Sequence, residues 1–290
     1  MGGNEGIRKR IESWAGESIH TSSAITGGCI AQASRITMQS GVCYFLKTGA
    51  TSEYMFLKEA RSLRELCKPG VIRVPTVFLA DPEFLLMEYV APKSAESNFF
   101  ECFGRAFAEL HRYQQDQFGF FEDNFIGATP QKNIPTKQQA NNWVEFFFQK
   151  RLLFQYQLAE EKGLANEAMR KGFQQLERKI ESILSGSQEP PSLLHGDLWS
   201  GNFLVDEQAN ACLIDPAVYY GHREADLAMT KLFGGFSPAF YQAYEESYAL
   251  APGHEYRENI YLLYHVMNHL NLFGPSYYGQ AMELISSYLR

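Results

Sequence analysis

His195-Gly196-Asp197, four residues, then Asn202 places an imidazole, a carboxylate and an amide within the short stretch LLHGDLWSGN. This spacing suits phosphoryl transfer. In such a loop an Asp takes or orients the proton of an attacking hydroxyl, and an Asn five positions later holds the metal that bridges the phosphates. Both side chains must enter one cleft, which calls for a tight loop, and Gly196 and Gly201 allow one. Asp215 follows thirteen residues after Asn202, at the end of the apolar run ACLI. A carboxylate at the end of a buried strand is well held to ligate Mg²⁺, which takes oxygen ligands and keeps phosphate in its shell. The competing reading is a polar loop whose Asp and Asn satisfy local backbone groups. Chain order favours the chemical reading, because a lysine-bearing strand and a glutamate-bearing helix lie upstream.

Lys47 ends the run VCYFLK and is the expected phosphate-holding lysine. Glu59 in the following helix is its expected partner, with Lys58 and Glu53 as alternative neighbours. A partly buried lysine needs an anion beside it until a nucleotide arrives. Gly27-Gly28-Cys29 lies where a nucleotide-covering turn belongs, since glycine lets backbone N–H groups approach phosphates. It is not a Walker loop. Glu88-Tyr89-Val90 ends the last strand of the first part, and its backbone is a candidate for hydrogen bonding adenine.

The elements that must position these groups follow from periodicity. Ile7, Ile11, Trp14 and Ala15 give a helix over 5–18. The stretch around Gln39-Ser40-Gly41 reads as a hairpin of two short strands, the second running from Val42 to Lys47. Met55, Leu57, Ala60, Leu63 and Leu66 form the apolar stripe of a helix that stops at Lys68-Pro69-Gly70. Two strands about Asp81-Pro82-Glu83 complete a mixed lobe with an antiparallel sheet and one internal helix. From the polar stretch APKSAESN onward helices dominate, including one over 166–184. The expected organisation is α+β and bilobal, with a nucleotide-binding lobe over 1–90 and a larger, mostly helical lobe over 91–290.

Bulk properties narrow the function. A net charge of −7, with Lys and Arg scattered, argues against a nucleic-acid partner. Five cysteines with no C-x-x-C pair fit a reducing compartment. No apolar run reaches transmembrane length and the N-terminus is polar, so a cytoplasmic protein without membrane association is expected.

Taken together, GGCI, FLK, EFLLMEY, FGF, DNFIGATPQ, RLLFQ, LLHGDLWSGN, DPAVYYGHREADLA, LFGGF and NHLNLFG resemble the fructosamine kinases, or ketosamine-3-kinases, in family order. These belong to the protein-kinase-like fold shared by aminoglycoside phosphotransferases and choline kinases. The resemblance implies transfer of the ATP γ-phosphoryl group to a sugar hydroxyl of a ketosamine, on a small molecule or a glycated protein lysine. The unstable product releases the free amine, which reverses glycation, and bacterial and plant members are expected to favour ribulosamines or erythrulosamines. Carried over by motif, Asp197 is the base, Asn202 and Asp215 hold Mg²⁺, and Lys47 pairs with Glu59. Trp199 faces the sugar and His269 lines the same pocket. His195 and Asp226 support the catalytic loop, although a plain helix N-cap suits Asp226 nearly as well. Ala31 departs from the polar residue the family often has after GGCI.

Two further expectations concern alternatives. Cys29, flanked by phosphate-binding amides, is a candidate for oxidation or for a disulfide to a second chain, so the protein is a monomer or a redox-linked dimer. The competing functions are a kinase of the same fold for choline, an aminoglycoside or a sugar, and a nucleotide-binding scaffold without turnover.

Overall fold

The computed structural model describes residues 2–25 and 31–289. Gly27, Gly28 and Cys29 lie outside the described residues. The first part begins with α1 (Gly2–Ala15), followed by β1 (Ile19–Ile25), β2 (Gln32–Met38) and β3 (Cys43–Thr48). Then come α2 (Met55–Cys67), β4 (Val77–Ala80) and β5 (Phe84–Glu88). The strands form one antiparallel sheet in the order β1-β2-β3-β5-β4.

This sheet is covered on both faces, which explains the unbroken apolar run FLLM in β5. Phe84 and Leu86 face α1 and pack with Ile7, Ile11, Ile36 and Met38. Leu85 and Met87 face the other way and pack with Phe56, Ala60, Leu63 and Leu66 of α2. Phe56 joins that stripe fully buried, whereas the expected Leu57 is only half-buried. The hairpin at Gln39-Ser40-Gly41 is present, with Gly41 at φ 88. β1 adds a strand that the sequence reading lacks. Only Ile19 at its start is buried, because it is the sheet's edge, so HTSSA carries no apolar alternation to reveal it.

The second part is built around α3 (Phe99–His111), α9 (Pro238–Ser247) and the central α10 (His254–Phe273). α3 and α9 touch closely at Gly104, where a Cβ would lie 2.2 Å from the Phe240 carbonyl oxygen. α4 (Trp143–Phe147) continues through a π-helical stretch, Phe148–Leu153, into α5 (Phe154–Glu161). The expected single helix over 166–184 is two, α6 (Glu167–Glu177) and α7 (Ile180–Leu184), with a break at Arg178-Lys179. A short hairpin, β6 (Asn124–Ile126) and β7 (Thr129–Gln131), reaches back to α2. There Asn124 Nδ2 donates to Ser62 Oγ at 3.4 Å and to the Val218 carbonyl at 2.8 Å. No helix among the described residues is long and apolar enough to cross a membrane.

Candidate active site

Two antiparallel ribbons carry the chemistry-bearing loops. β8 (Ser192–Leu194) pairs with β11 (Tyr219–Gly221), and β9 (Phe203–Val205) with β10 (Ala211–Leu213). The connections 195–202 and 214–218 therefore run side by side. Ile214 N–H donates to the Asn202 carbonyl at 3.0 Å and Ala217 N–H to the His195 carbonyl at 2.8 Å. The buried His195 ring laces them again, Nε2–H donating to the Ile214 carbonyl at 2.9 Å while Nδ1 accepts from Asp197 N–H at 3.3 Å. Burial keeps this imidazole below its ordinary pKa despite the nearby Asp226, so it acts as a neutral spacer.

Asp226 does more than cap a helix. It sits inside α8 (Arg223–Lys231), whose N-cap is His222. Its carboxylate accepts the backbone N–H groups of His195 at 2.7 Å and Gly196 at 2.8 Å, and faces His111 Nε2 at 3.3 Å. Burial would raise its pKa, but His111, His195 and the Gly196 N–H outweigh that and hold the carboxylate charged. The loop is thus fixed from beneath by one buried anion.

Above it, Asn202 Nδ2 donates to the Asp197 carbonyl at 2.7 Å and to Asp197 Oδ2 at 3.3 Å. Both contacts use Nδ2, which leaves the Oδ1 lone pairs for a cation. Burial, and after it the charge of Asp215, pushes the Asp197 carboxyl well above the ordinary carboxylate range. Lys47 crosses to this region from β3. Its Nζ donates to Glu59 Oε1 at 2.6 Å and also to Asp215 Oδ1. Burial would lower the Lys47 pKa, but Asp215 and Glu59 more than reverse that and keep it cationic. Lys58 lies over the Phe125 ring instead, 5.3 Å from its centroid, and Glu53 is exposed. The structure therefore links Lys47, Glu59 and Asp215 by hydrogen bonds and Asp197 with Asn202, on adjoining segments. The Asn202 amide oxygen and the Asp215 carboxylate are oxygen donors of the kind Mg²⁺ takes.

The predicted adenine edge divides. Glu88 N–H is already given to the Thr76 carbonyl at 2.8 Å, and its side chain turns to Arg73 Nη2 at 2.5 Å. The backbone groups of Tyr89 and Val90 make no hydrogen bond to another described backbone group. Arg73 was not expected. Its Nη1 also reaches Asp206 at 2.9 Å and Glu207 at 2.8 Å, tying the end of β5 to the β9–β10 turn. These partners lie 15, 133 and 134 positions away in sequence, so no local pattern could announce them.

Trp199 and His269 do approach one another, through an intermediary. The Phe233 ring stands edge-on to Trp199, centroids 5.4 Å apart, and edge-on to His269 at 5.1 Å. His269 Nδ1–H donates to the His265 carbonyl at 2.8 Å, which leaves Nε2 as an acceptor, and burial holds the ring below its ordinary pKa. The sequence signal for Phe233 was the glycine pair in LFGGF.

The covered five-stranded sheet, the paired ribbons and the helical remainder define a protein-kinase-like fold. A choline kinase from Streptococcus pneumoniae shares it, with a TM-score of 0.66 at 16% identity over 98% of this chain and 99% of that one. Within that class the chain belongs to the fructosamine kinase family, whose sequence model matches residues 5–290. It is 37% identical over 276 residues to a chloroplastic protein-ribulosamine 3-kinase of Oryza sativa subsp. indica, covering 92% of this chain and 78% of the relative. A solved structure from Thermobifida fusca, assigned as a fructosamine-3-kinase, superposes with a TM-score of 0.88 at 29% identity over 98% of both chains.

Proposed function

We propose that this chain is an ATP-dependent phosphotransferase that phosphorylates a sugar hydroxyl of ketosamines, a protein deglycation repair step. Its acceptors are ribulosamines and erythrulosamines in preference to fructosamines, on small amines or on protein lysines. The observation that carries this reading is that Lys47 bonds Glu59 and Asp215 while Asn202 bonds Asp197 on the adjoining loop. Family membership and the name of the rice relative support the ketosamine acceptor.

The proposal gives each residue a role in that transfer. ATP lies between the lobes 1–90 and 91–290, its adenine on the backbone of Tyr89 and Val90. Lys47 releases Asp215 and takes the phosphates, with Glu59 still holding its ammonium. Asn202 and Asp215 would hold Mg²⁺, which when bound would spread the developing phosphate charge. The acceptor hydroxyl oxygen bonds to the γ-phosphorus as the bond to the β-phosphate oxygen breaks, and ADP leaves. Asp197, made more basic by burial and Asp215, receives the hydroxyl proton. Trp199 and His269 Nε2 face the sugar. Among these, Glu88 holds Arg73 rather than the nucleotide. A cytoplasmic setting belongs to the same proposal.

ATP consumption with ribulose-lysine, fructose-lysine, choline and an aminoglycoside tests it. Turnover is expected with ribulose-lysine, weaker or none with fructose-lysine, and none with the other two. Faster turnover of choline or the aminoglycoside would make the chain a kinase for another amine. Intact ATP binding without any turnover would make it a scaffold.

A further inference from the structure

Phe233 holds a backbone state that its side chain disfavours. At φ 58 and ψ 38 it is in the left-handed region, where a bulky aromatic residue is an outlier. Gly234 and Gly235 follow at φ 100 and φ 74, so three successive residues make a left-handed detour. Beyond the detour the chain is pinned. The Phe236 N–H and the Thr230 hydroxyl both reach the Tyr241 hydroxyl, at 3.1 and 3.2 Å. Packing alone does not account for the strain, because Phe233 stays 45% exposed. Strain that the core does not need is characteristic of a site where a ligand docks.

Two rings flank that of Phe233. Trp199 lies against Gly201, where a Cβ would meet the indole at 2.4 Å. His269 is held by its Nδ1–H on the His265 carbonyl. Phe233 is the third ring, directly followed by two glycines that allow its segment to bend. Trp199 is two residues past Asp197, so the three rings edge the place where the acceptor must sit. A ketosamine carries a secondary amine, protonated at neutral pH, next to its sugar carbons. Ring faces attract such a substituted ammonium.

Resting on the ketosamine reading above, we infer that Phe233 is a specificity-determining residue whose ring contacts the substituted ammonium of the acceptor. The detour through Gly234 and Gly235 exists to present that ring.

The test compares Phe233→Ala, Phe233→Asn and Phe233→Tyr with wild type, measuring KM for ribulose-lysine, KM for ATP and thermal stability. Asn tolerates the left-handed region, so Phe233→Asn keeps the backbone while removing the ring. The Ala and Asn variants should raise the acceptor KM about 5- to 30-fold. The ATP KM should stay within about twofold, and the Tyr variant should resemble wild type. Phe233→Asn should melt no lower than wild type, whereas loss of a merely structural ring would lower its Tm. An unchanged acceptor KM in the Ala and Asn variants overturns the inference. So does a parallel rise in both KM values with a falling Tm. If wild type itself fails to turn over ribulose-lysine, the underlying reading falls first, and that result is distinct from the other two.

Discussion

Lys47 and Asp215, 168 positions apart, are hydrogen bonded across the cleft between the sheet and the helical part. Lys47 holds Glu59 as well, so one ammonium bridges two carboxylates, Glu59 largely buried and Asp215 partly exposed. Replacing Lys47 by Met leaves those carboxylates facing each other. Breaking a buried ion pair destabilises by a few kcal/mol, and less here because Asp215 keeps solvent contact, so a loss of about 2 kcal/mol is expected. Activity should fall with it. Lys47→Met combined with Glu59→Leu removes the unpaired buried acid and should recover most of the stability while activity stays lost. Denaturant unfolding alongside ATP turnover checks this. Recovery of turnover in the double variant would contradict the role given to Lys47.

Asp197 offers the opposite balance. Burial and the charge of Asp215 raise its carboxyl well above the ordinary range, so the ionised form is held against an electrostatic gradient. Asp197→Asn should cut kcat by about two to four orders of magnitude, the usual worth of a positioned base. It should also raise Tm by about 2 °C, since removing strain at a functional site stabilises the fold. Matched melts and steady-state rates decide the point. A variant that is less stable and only mildly slower would remove Asp197 from the mechanism.

The difference between local and distant order explains what could be read without coordinates. The loop 195–202, Asp215, Lys47 and Glu59 were legible because each belongs to a short segment whose spacing is dictated by its own turn, strand or helix. α2, α3 and β5 were legible from their periodic or continuous apolar runs. β1 was not, because an exposed edge strand has no buried face to pattern. The split between α6 and α7 was hidden too, because the polar residues at Arg178-Lys179 suit a helix surface equally well. Arg73 and the hairpin residue Asn124 act only through partners brought near by the folded chain. Phe233 was visible only as part of LFGGF, since a left-handed φ at a phenylalanine has no signature in residue type.

Acid should destabilise the protein through its buried histidines. His111, His222 and His265 are buried, and burial lowers each pKa, His265 being pushed down to about 3. Nearby Asp226 and Glu224 oppose the effect at the first two, while His269 adds to it at His265. Near pH 7 both folded and unfolded chains carry these rings neutral. Below about pH 6.5 the unfolded chain binds protons that the folded one refuses, so stability falls with falling pH. His265 alone should remove about 1.4 kcal/mol per pH unit once the pH is well below 6.5. Tm recorded from pH 7.5 to 5 should therefore drop, and His265→Leu should flatten the acid limb. A level Tm across that range would show that these rings are protonated in the folded state.

Gly196 and Gly201 bracket the loop but should respond differently to alanine. At Gly196 the backbone is at φ 83, and a Cβ would lie 2.1 Å from the Ala217 carbonyl oxygen. Neither the conformation nor the neighbouring backbone can yield cheaply, so Gly196→Ala should lose several kcal/mol and be recovered poorly as folded protein. At Gly201 the obstacle is the indole of Trp199, a side chain that can swing aside. Gly201→Ala should fold with a Tm near wild type, keep its ATP KM, and raise the ribulose-lysine KM about tenfold as Trp199 leaves its place, an effect in the range of lost cation–π contacts. Running the two variants in parallel separates the loop's framework from its acceptor wall. If Gly201→Ala weakened ATP and acceptor binding equally, Trp199 would belong to the nucleotide side of the cleft.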